Sequence, residues 1–203
     1  MDWFQKLWNE RRSAWATHAV RDRGAVVFLG DSITQGWEAG LPAAFPELRI
    51  ANRGISGDTT RGVLLRLQDD VIALQPRAVV MLIGTNDLEE KAAPEIIAGN
   101  LALILDALHA HNPALPVVLC RVFPSSATMR RPSAQIRRIN ALYNEVARTR
   151  QQVTVVDTWS IFADAQGDAR LAEFPDLLHP NERGYEQWAR ALRPALQQVG
   201  LLR

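Results

Sequence analysis

Cysteine is nearly absent from this sequence: Cys120 stands alone among 203 residues. A single thiol excludes an intramolecular disulfide, and with only four histidines spread along the chain no metal-ligand spacing can be read. Cys120 closes the apolar run Val117–Cys120, where a buried core thiol is the expectation. His109 and His111 fall at the end of a helical segment and read as surface residues. An excess of either charge is lacking too. The formal net charge is +1, which offers no global basis for binding nucleic acid or an acidic membrane surface. Arg130, Arg131, Arg137 and Arg138 cluster locally, and arginines so spaced near a helix read as a solvated face rather than a binding patch. No apolar stretch is long enough to span a bilayer, and residues 1–20 are punctuated by Asp, Lys, Glu and Arg, unlike a signal peptide. The expectation is a cytoplasmic protein if Met1 is the native start, and an exported one if a signal peptide has been removed. Low-complexity tracts, long linkers and internal repeats are also missing, so residues 1–203 read as a single domain, with 1–24 as an N-terminal helix and lead-in.

What is present alternates between two periodicities. Short runs rich in β-branched residues occur at Ala25–Leu29, Ala78–Ile83, Pro116–Cys120 and Val153–Val156, with a weaker one at Leu48–Ala51. Runs of this length suit strands buried on both faces. Between them lie segments of helical period. Ile97, Leu101, Ile104, Leu105 and Leu108 share a face, with Pro94 suited to the first turn. Ile136, Ile139, Tyr143 and Val146 form a second stripe. Tyr185, Trp188, Leu192 and Leu196 form a third, which Pro194 should kink or end. Asp58 is the expected N-cap of a helix carrying Val63, Leu64 and Leu67. An N-terminal helix carrying Trp3, Leu7 and Trp8 should pack across the outside; its exposed face is the candidate surface for a homodimer. Strands alternating with helices imply right-handed crossovers and a parallel sheet covered on both faces, an α/β three-layer sandwich. Ligands of such sheets bind beyond the carboxyl ends of the strands.

Chemistry-bearing residues gather at those ends. The first strand runs into Gly30-Asp31-Ser32-Ile33-Thr34, which would set a hydroxyl at the mouth of the sheet near the positive end of a helix dipole. Read alone, this turn could equally be a helix cap, or a phosphate cradle flanked by Gly30 and Gly36, although no P-loop lysine follows. The second strand ends in Asn52-Arg53-Gly54-Ile55-Ser56-Gly57-Asp58, where a glycine lets a ligand approach the backbone. The third ends in Gly84-Thr85-Asn86-Asp87, whose amide could donate to developing charge or only stabilise a turn. Near the C-terminus, Asp176-Leu177-Leu178-His179-Pro180 spaces a carboxylate to reach an imidazole and orient it. Each motif alone has an ordinary structural reading. Together, three on one sheet edge and a fourth able to fold over it, they supply a nucleophile, a base, an orienting acid and two further donors.

In these blocks the sequence resembles the SGNH hydrolases, also called the GDSL esterase/lipase family. Gly30-Asp31-Ser32 is similar to the first block, Gly54 in its segment to the second, Gly84-Thr85-Asn86-Asp87 to the third and Asp176-Leu177-Leu178-His179-Pro180 to the last. The likeness runs in order from Ala25 to about Leu196. The stretch Asn52–Leu67 with Thr85–Asp87 looks most like the branch of platelet-activating factor acetylhydrolase catalytic subunits and related bacterial esterases, and the Gly-Asp-Thr block also occurs in the thioesterase I/protease I type. The resemblance implies a flavodoxin-like sandwich with five parallel strands. It implies Ser32 as nucleophile, His179 as base and Asp176 as its orienting residue. The implied oxyanion hole is the backbone N–H of Ser32, the backbone N–H of Gly54 and the side-chain amide of Asn86. The implied reaction is hydrolysis of a small-molecule ester through an acyl-enzyme, with no metal or cofactor. Short acetyl esters, such as acetylated carbohydrates, are the expected substrates, with a thioester or a lysophospholipid as alternatives. Asp31, Trp37 and Arg121 are the candidate substrate contacts. A flavin- or nucleotide-binding protein could share the architecture but would not need Asn86, Asp176 and His179.

Overall fold

The computed structural model describes residues 2–203; Met1, on which the expectation about the chain start turned, lies outside them. The elements in chain order are α1 (Trp3–Asp22), β1 (Val26–Gly30), α2 (Ser32–Gly36), α3 (Leu41–Ala44), β2 (Ile50–Gly54), α4 (Thr60–Asp70), β3 (Ala78–Leu82), α5 (Thr85–Glu89), α6 (Pro94–His111), β4 (Val117–Cys120), α7 (Ser133–Arg148), β5 (Val153–Val156) and α8 (Glu182–Gln198). All strand pairs are parallel, in the order β2-β1-β3-β4-β5. Chain direction across the sheet reverses between β1 and β3, so a crevice opens at the carboxyl ends of these two strands.

Strand alternation divides the interior into two cores. Val27, Leu29, Val79, Met81, Val117 and Leu119 face one side, where they meet Val63 of α4, Leu101 of α6 and Ile139 and Tyr143 of α7. Val26, Phe28, Val80, Leu82, Val118 and Cys120 face the other, against Ile33, Trp37, Trp188 and Leu192. The apolar runs carry no alternation because both faces are covered. Cys120 is buried, its thiol pushed up to about 12 by desolvation. His109 and His111 are exposed at the end of α6. No helix among the described residues is long and apolar enough to cross a membrane.

Some boundaries differ from the sequence reading. β2 begins at Ile50 rather than Leu48 and runs on to Gly54. It is an edge strand that carries half-buried Asn52 and a buried Arg53 paired with Asp22 at 2.8 Å, so no apolar run marks its extent. The cap of α4 is Thr59, whose side chain accepts from the Gly62 N–H, whereas Asp58 is fully buried and spends its carboxylate on Arg66. Pro194 neither ends α8 nor lies near its start; the helix continues to Gln198. Leu192, Ala195 and Leu196 on either side of it are buried against the sheet, and that packing offsets the one missing backbone hydrogen bond. In α1, Trp3 is largely exposed. The helix is held by Trp15, over which the guanidinium groups of Arg53 and Arg66 lie at 4.9 and 5.6 Å, and by an Arg12–Asp70 ion pair at 2.8 Å.

Arg66 laces the strand ends together. Its Nε donates to Asp58 Oδ2 (2.7 Å), and its Nη2 donates to Gly30 O (3.2 Å) and Arg53 O (2.9 Å), all out of water. Removing one partner of a buried ion pair strands the other charge and costs about 3–5 kcal/mol. The Arg66→Met variant should lose about that much stability in urea denaturation; a loss below about 1 kcal/mol would show that the strand ends do not depend on it.

Candidate active site

Ser32 is the first residue of α2, immediately beyond β1. Asp31 caps the helix, its Oδ1 accepting from the Ile33 N–H at 2.9 Å. At the first helical position the Ser32 N–H has no carbonyl one turn back to bond. The expectation of a hydroxyl at the mouth of the sheet thus meets an observed helix start, and capping and hydroxyl display coexist in one turn, on neighbouring residues.

The distant Asp176–His179 turn folds onto this hydroxyl. Ser32 Oγ lies 2.9 Å from His179 Nε2, and His179 Nδ1 lies 2.6 Å from Asp176 Oδ2. The other carboxylate oxygen, Oδ1, accepts from the backbone N–H groups of Leu178 (3.0 Å) and His179 (2.7 Å). Leu177 adopts a left-handed conformation (φ 62°) to close the turn, and its carbonyl accepts from Ser125 Oγ at 2.8 Å. Partial burial raises the Asp176 carboxyl, but the hydrogen bonds from His179 and Leu178 outweigh it and hold the group below its ordinary value. A carboxylate that stays ionised and bonds Nδ1 fixes the tautomer with Nε2 facing the serine as acceptor.

The expected donors are arranged unequally. Asn86, buried in α5, gives one Nδ2 hydrogen to Asp58 O (2.9 Å) and has a second. Gly84 precedes α5 with φ 123°, and a Cβ there would lie 2.7 Å from Tyr143 Oη, so only glycine fits the exit of β3. Gly54 ends β2, and a Cβ there would lie 2.3 Å from the Gln35 N, so the glycine permits close approach to α2. Its N–H, however, already donates to Asn52 Oδ1 at 2.9 Å. To serve an oxyanion it must share that hydrogen or exchange partners.

The side chains of the three candidate substrate contacts are engaged within the fold. Asp31 is wholly buried beneath the nucleophile turn. Trp37 is buried in a stack with Tyr185 (5.3 Å) and Trp188 (4.6 Å). Arg121 pairs with Asp157 at 2.7 Å and with Asn144 Oδ1 at 3.3 Å. A hollow of about 650 Å³ between α3 and α8 is bordered by Trp37, Tyr185 and Ala189 but not by Ser32 or His179. Beside the imidazole lies a smaller open depression of about 280 Å³ formed by Pro175, Asp176, His179, Pro180 and Asn181. Among the described residues no group of three or more His, Cys, Asp or Glu side chains is placed to hold a metal ion.

Behind Ser32 lies a buried group of charges that the separate motifs did not reveal. Asp31, Asp58 and Asp87 are buried close together, countered by buried Arg66 and Arg131. Arg131, expected on a solvated face with Arg130, Arg137 and Arg138, is 2% exposed. Tyr185 Oη donates to Ile33 O at 2.9 Å, tying α8 to α2.

The chain is similar to several known proteins. Residues 28–187 match the GDSL-like Lipase/Acylhydrolase family. The human platelet-activating factor acetylhydrolase IB subunit alpha2 is 28% identical over 181 residues, covering 86% of this chain and 76% of its own. A GDSL-like lipase from Bacteroides thetaiotaomicron superposes with a TM-score of 0.81 at 26% identity, over 93% of this chain and 98% of its own. An acetyl-xylooligosaccharide esterase from a Geobacillus species shares the fold, with a TM-score of 0.66 at 23% identity over 89% and 97% of the two chains.

Burial lifts the Asp31 carboxyl to about 7, aided by Asp58 and Asp87 and opposed by the Ile33 N–H and Arg131. Oδ2 is buried with no hydrogen-bond partner among the described residues. The native chain therefore holds a proton that the unfolded chain releases near the ordinary value of 3.8. Stability from this group falls as pH rises from about 4 to about 7. Asp31→Asn keeps the cap acceptor and removes the titration, so its unfolding free energy, measured at pH 5 and pH 8, should drop less than that of the wild type. An equal drop in both would mean that Asp31 is ionised throughout.

Proposed function

The chain belongs to the GDSL-like lipase/acylhydrolase family and is a carboxylic ester hydrolase, and from that premise we propose that it works through an acyl-enzyme on Ser32, with short acyl esters as substrates. The observation that carries the reading is the unbroken sequence of hydrogen bonds from Ser32 Oγ through His179 to Asp176. In the first half-reaction His179 Nε2 takes the hydroxyl proton as Oγ attacks the ester carbonyl, and the Asp176 carboxylate stabilises the resulting imidazolium. Charge on the former carbonyl oxygen is met by the Ser32 N–H and the second Nδ2 hydrogen of Asn86, with Gly54 joining if its N–H turns from Asn52. His179 then protonates the leaving alcohol. In the second half-reaction the same imidazole activates water, and the acid departs.

Short acyl groups are supported by the shallowness of the depression beside His179 and by the acetyl-directed names of two similar proteins. A hydrolysis series of p-nitrophenyl esters from acetate to octanoate tests both parts. The wild type should turn over acetate fastest, and Ser32→Ala should lose on the order of 10⁶ in kcat while keeping its circular dichroism. Residual turnover in the variant equal to that of the wild type would remove Ser32 from the chemistry; octanoate exceeding acetate would overturn the short-acyl assignment.

A further inference from the structure

We propose that Arg131 is a positioning residue for ester hydrolysis: through Asn86 Oδ1 it sets which end of the Asn86 amide faces the reacting carbonyl and strengthens Nδ2 as a donor. The proposal rests on the reading of Asn86 as an oxyanion donor. Arg131 lies in the connection between β4 and α7, just after a short helical turn (Ala127–Met129) closed by Arg130 in a left-handed conformation (φ 58°). Its guanidinium is enclosed and forked over four acceptors. Nε donates to Thr85 O (3.1 Å), Nη1 to Met129 O (2.6 Å), and Nη2 to both Asn86 Oδ1 (2.9 Å) and Glu89 Oε2 (2.7 Å).

An asparagine amide is nearly symmetrical in shape, so packing alone chooses poorly between its two orientations. Here both neighbours choose the same one. Arg131 has donors only and requires an acceptor opposite it. Asp58 O is an acceptor and requires a donor. A flipped amide would set N–H against guanidinium and oxygen against oxygen, and would turn a lone pair toward an oxyanion. Lysine could supply charge at this place but not the planar fork that spans Thr85 O, Asn86 Oδ1 and Glu89. A cation on Oδ1 also draws electron density from the amide, which makes Nδ2–H a stronger donor where charge develops. Glu89, about half exposed, holds the guanidinium from its outer side.

The experiment is a double-mutant cycle read in kcat and KM for p-nitrophenyl acetate, with thermal melts to confirm folding. Asn86→Ala should lower kcat by about 10²–10³. Arg131→Met should lower kcat by roughly ten- to a hundredfold with KM little changed, and should add nothing in the Asn86→Ala background, because its effect passes through that amide. If Arg131→Met does not fold, Arg131→Lys, which keeps the stem and the charge, should show the same dependence on Asn86 with a smaller loss. An equal loss in both backgrounds, or a folded Arg131 variant with unchanged kcat, overturns the role of Arg131 alone. Full activity in Asn86→Ala overturns the oxyanion reading itself, and the proposal with it.

Discussion

Three strand exits converge on one buried cation. Arg66 bonds the last carbonyl of β1, a carbonyl near the end of β2 and the carboxylate of Asp58. Asp58 in turn offers its own carbonyl to Asn86 beyond β3. Backbone carbonyls at the ends of strands run out of ladder partners, and when buried they need a donor from elsewhere in the fold. Arg66 satisfies them from within and fixes the spacing between the turns that carry Ser32, Gly54 and Asn86. Buried ion pairs contribute little net stability compared with an apolar replacement of the same volume. Their contribution here is positional, and a second arginine, Arg131, repeats the arrangement one strand further along by holding Thr85 O and Asn86 Oδ1.

The same concentration of carboxylates explains why the floor of the site is electrostatically unusual. Asp31, Asp58 and Asp87 are all raised by burial, and each is held by donors that differ in number. Asp87 receives the Thr60 N–H and hydroxyl, and Asp58 receives Arg66 and the Thr59 N–H. Among the described residues Asp31 receives only the Ile33 N–H, and it is the group pushed to about 7. Asp176, half exposed and hydrogen-bonded by backbone and imidazole, moves the other way. The carboxyl next to Ser32 thus holds its proton up to about pH 7, while the one next to the imidazole is kept charged. This division suits an Asp that shapes a turn and an Asp that must stabilise a cation.

Much of this was legible from residue order alone, and the remainder failed for identifiable reasons. Strands buried on both faces announce themselves as β-branched runs, so β1, β3, β4 and β5 were found, whereas β2, an edge strand with Asn52 and Arg53 in it, was only half visible. Ser32, Gly54 and Asn86 were readable because sheet topology obliges strand ends to share an edge. The reach of Asp176 to His179 was readable because the two are three residues apart. Arg131 was not, since its partners Thr85, Asn86 and Glu89 lie more than forty residues away and only the fold brings them together. Pattern rules assign an arginine to the surface unless a buried acceptor is known. Asp58 misled for the converse reason: a capping residue type stood one position before the true cap, Thr59. Trp37 lay close to Ser32 in sequence, but its ring turned into the aromatic stack, and Arg121 stood at a strand end yet turned toward Asp157.

The central claim is that Ser32 is the group that becomes acylated, primed by His179. Intact-mass and peptide mass spectrometry after treatment with a fluorophosphonate would read this directly, because such reagents phosphonylate a serine only when its hydroxyl is activated. A single adduct on the peptide containing Ser32 is expected, formed rapidly in the wild type and far more slowly in His179→Ala. An adduct at another residue, or equal labelling with and without His179, would contradict the claim.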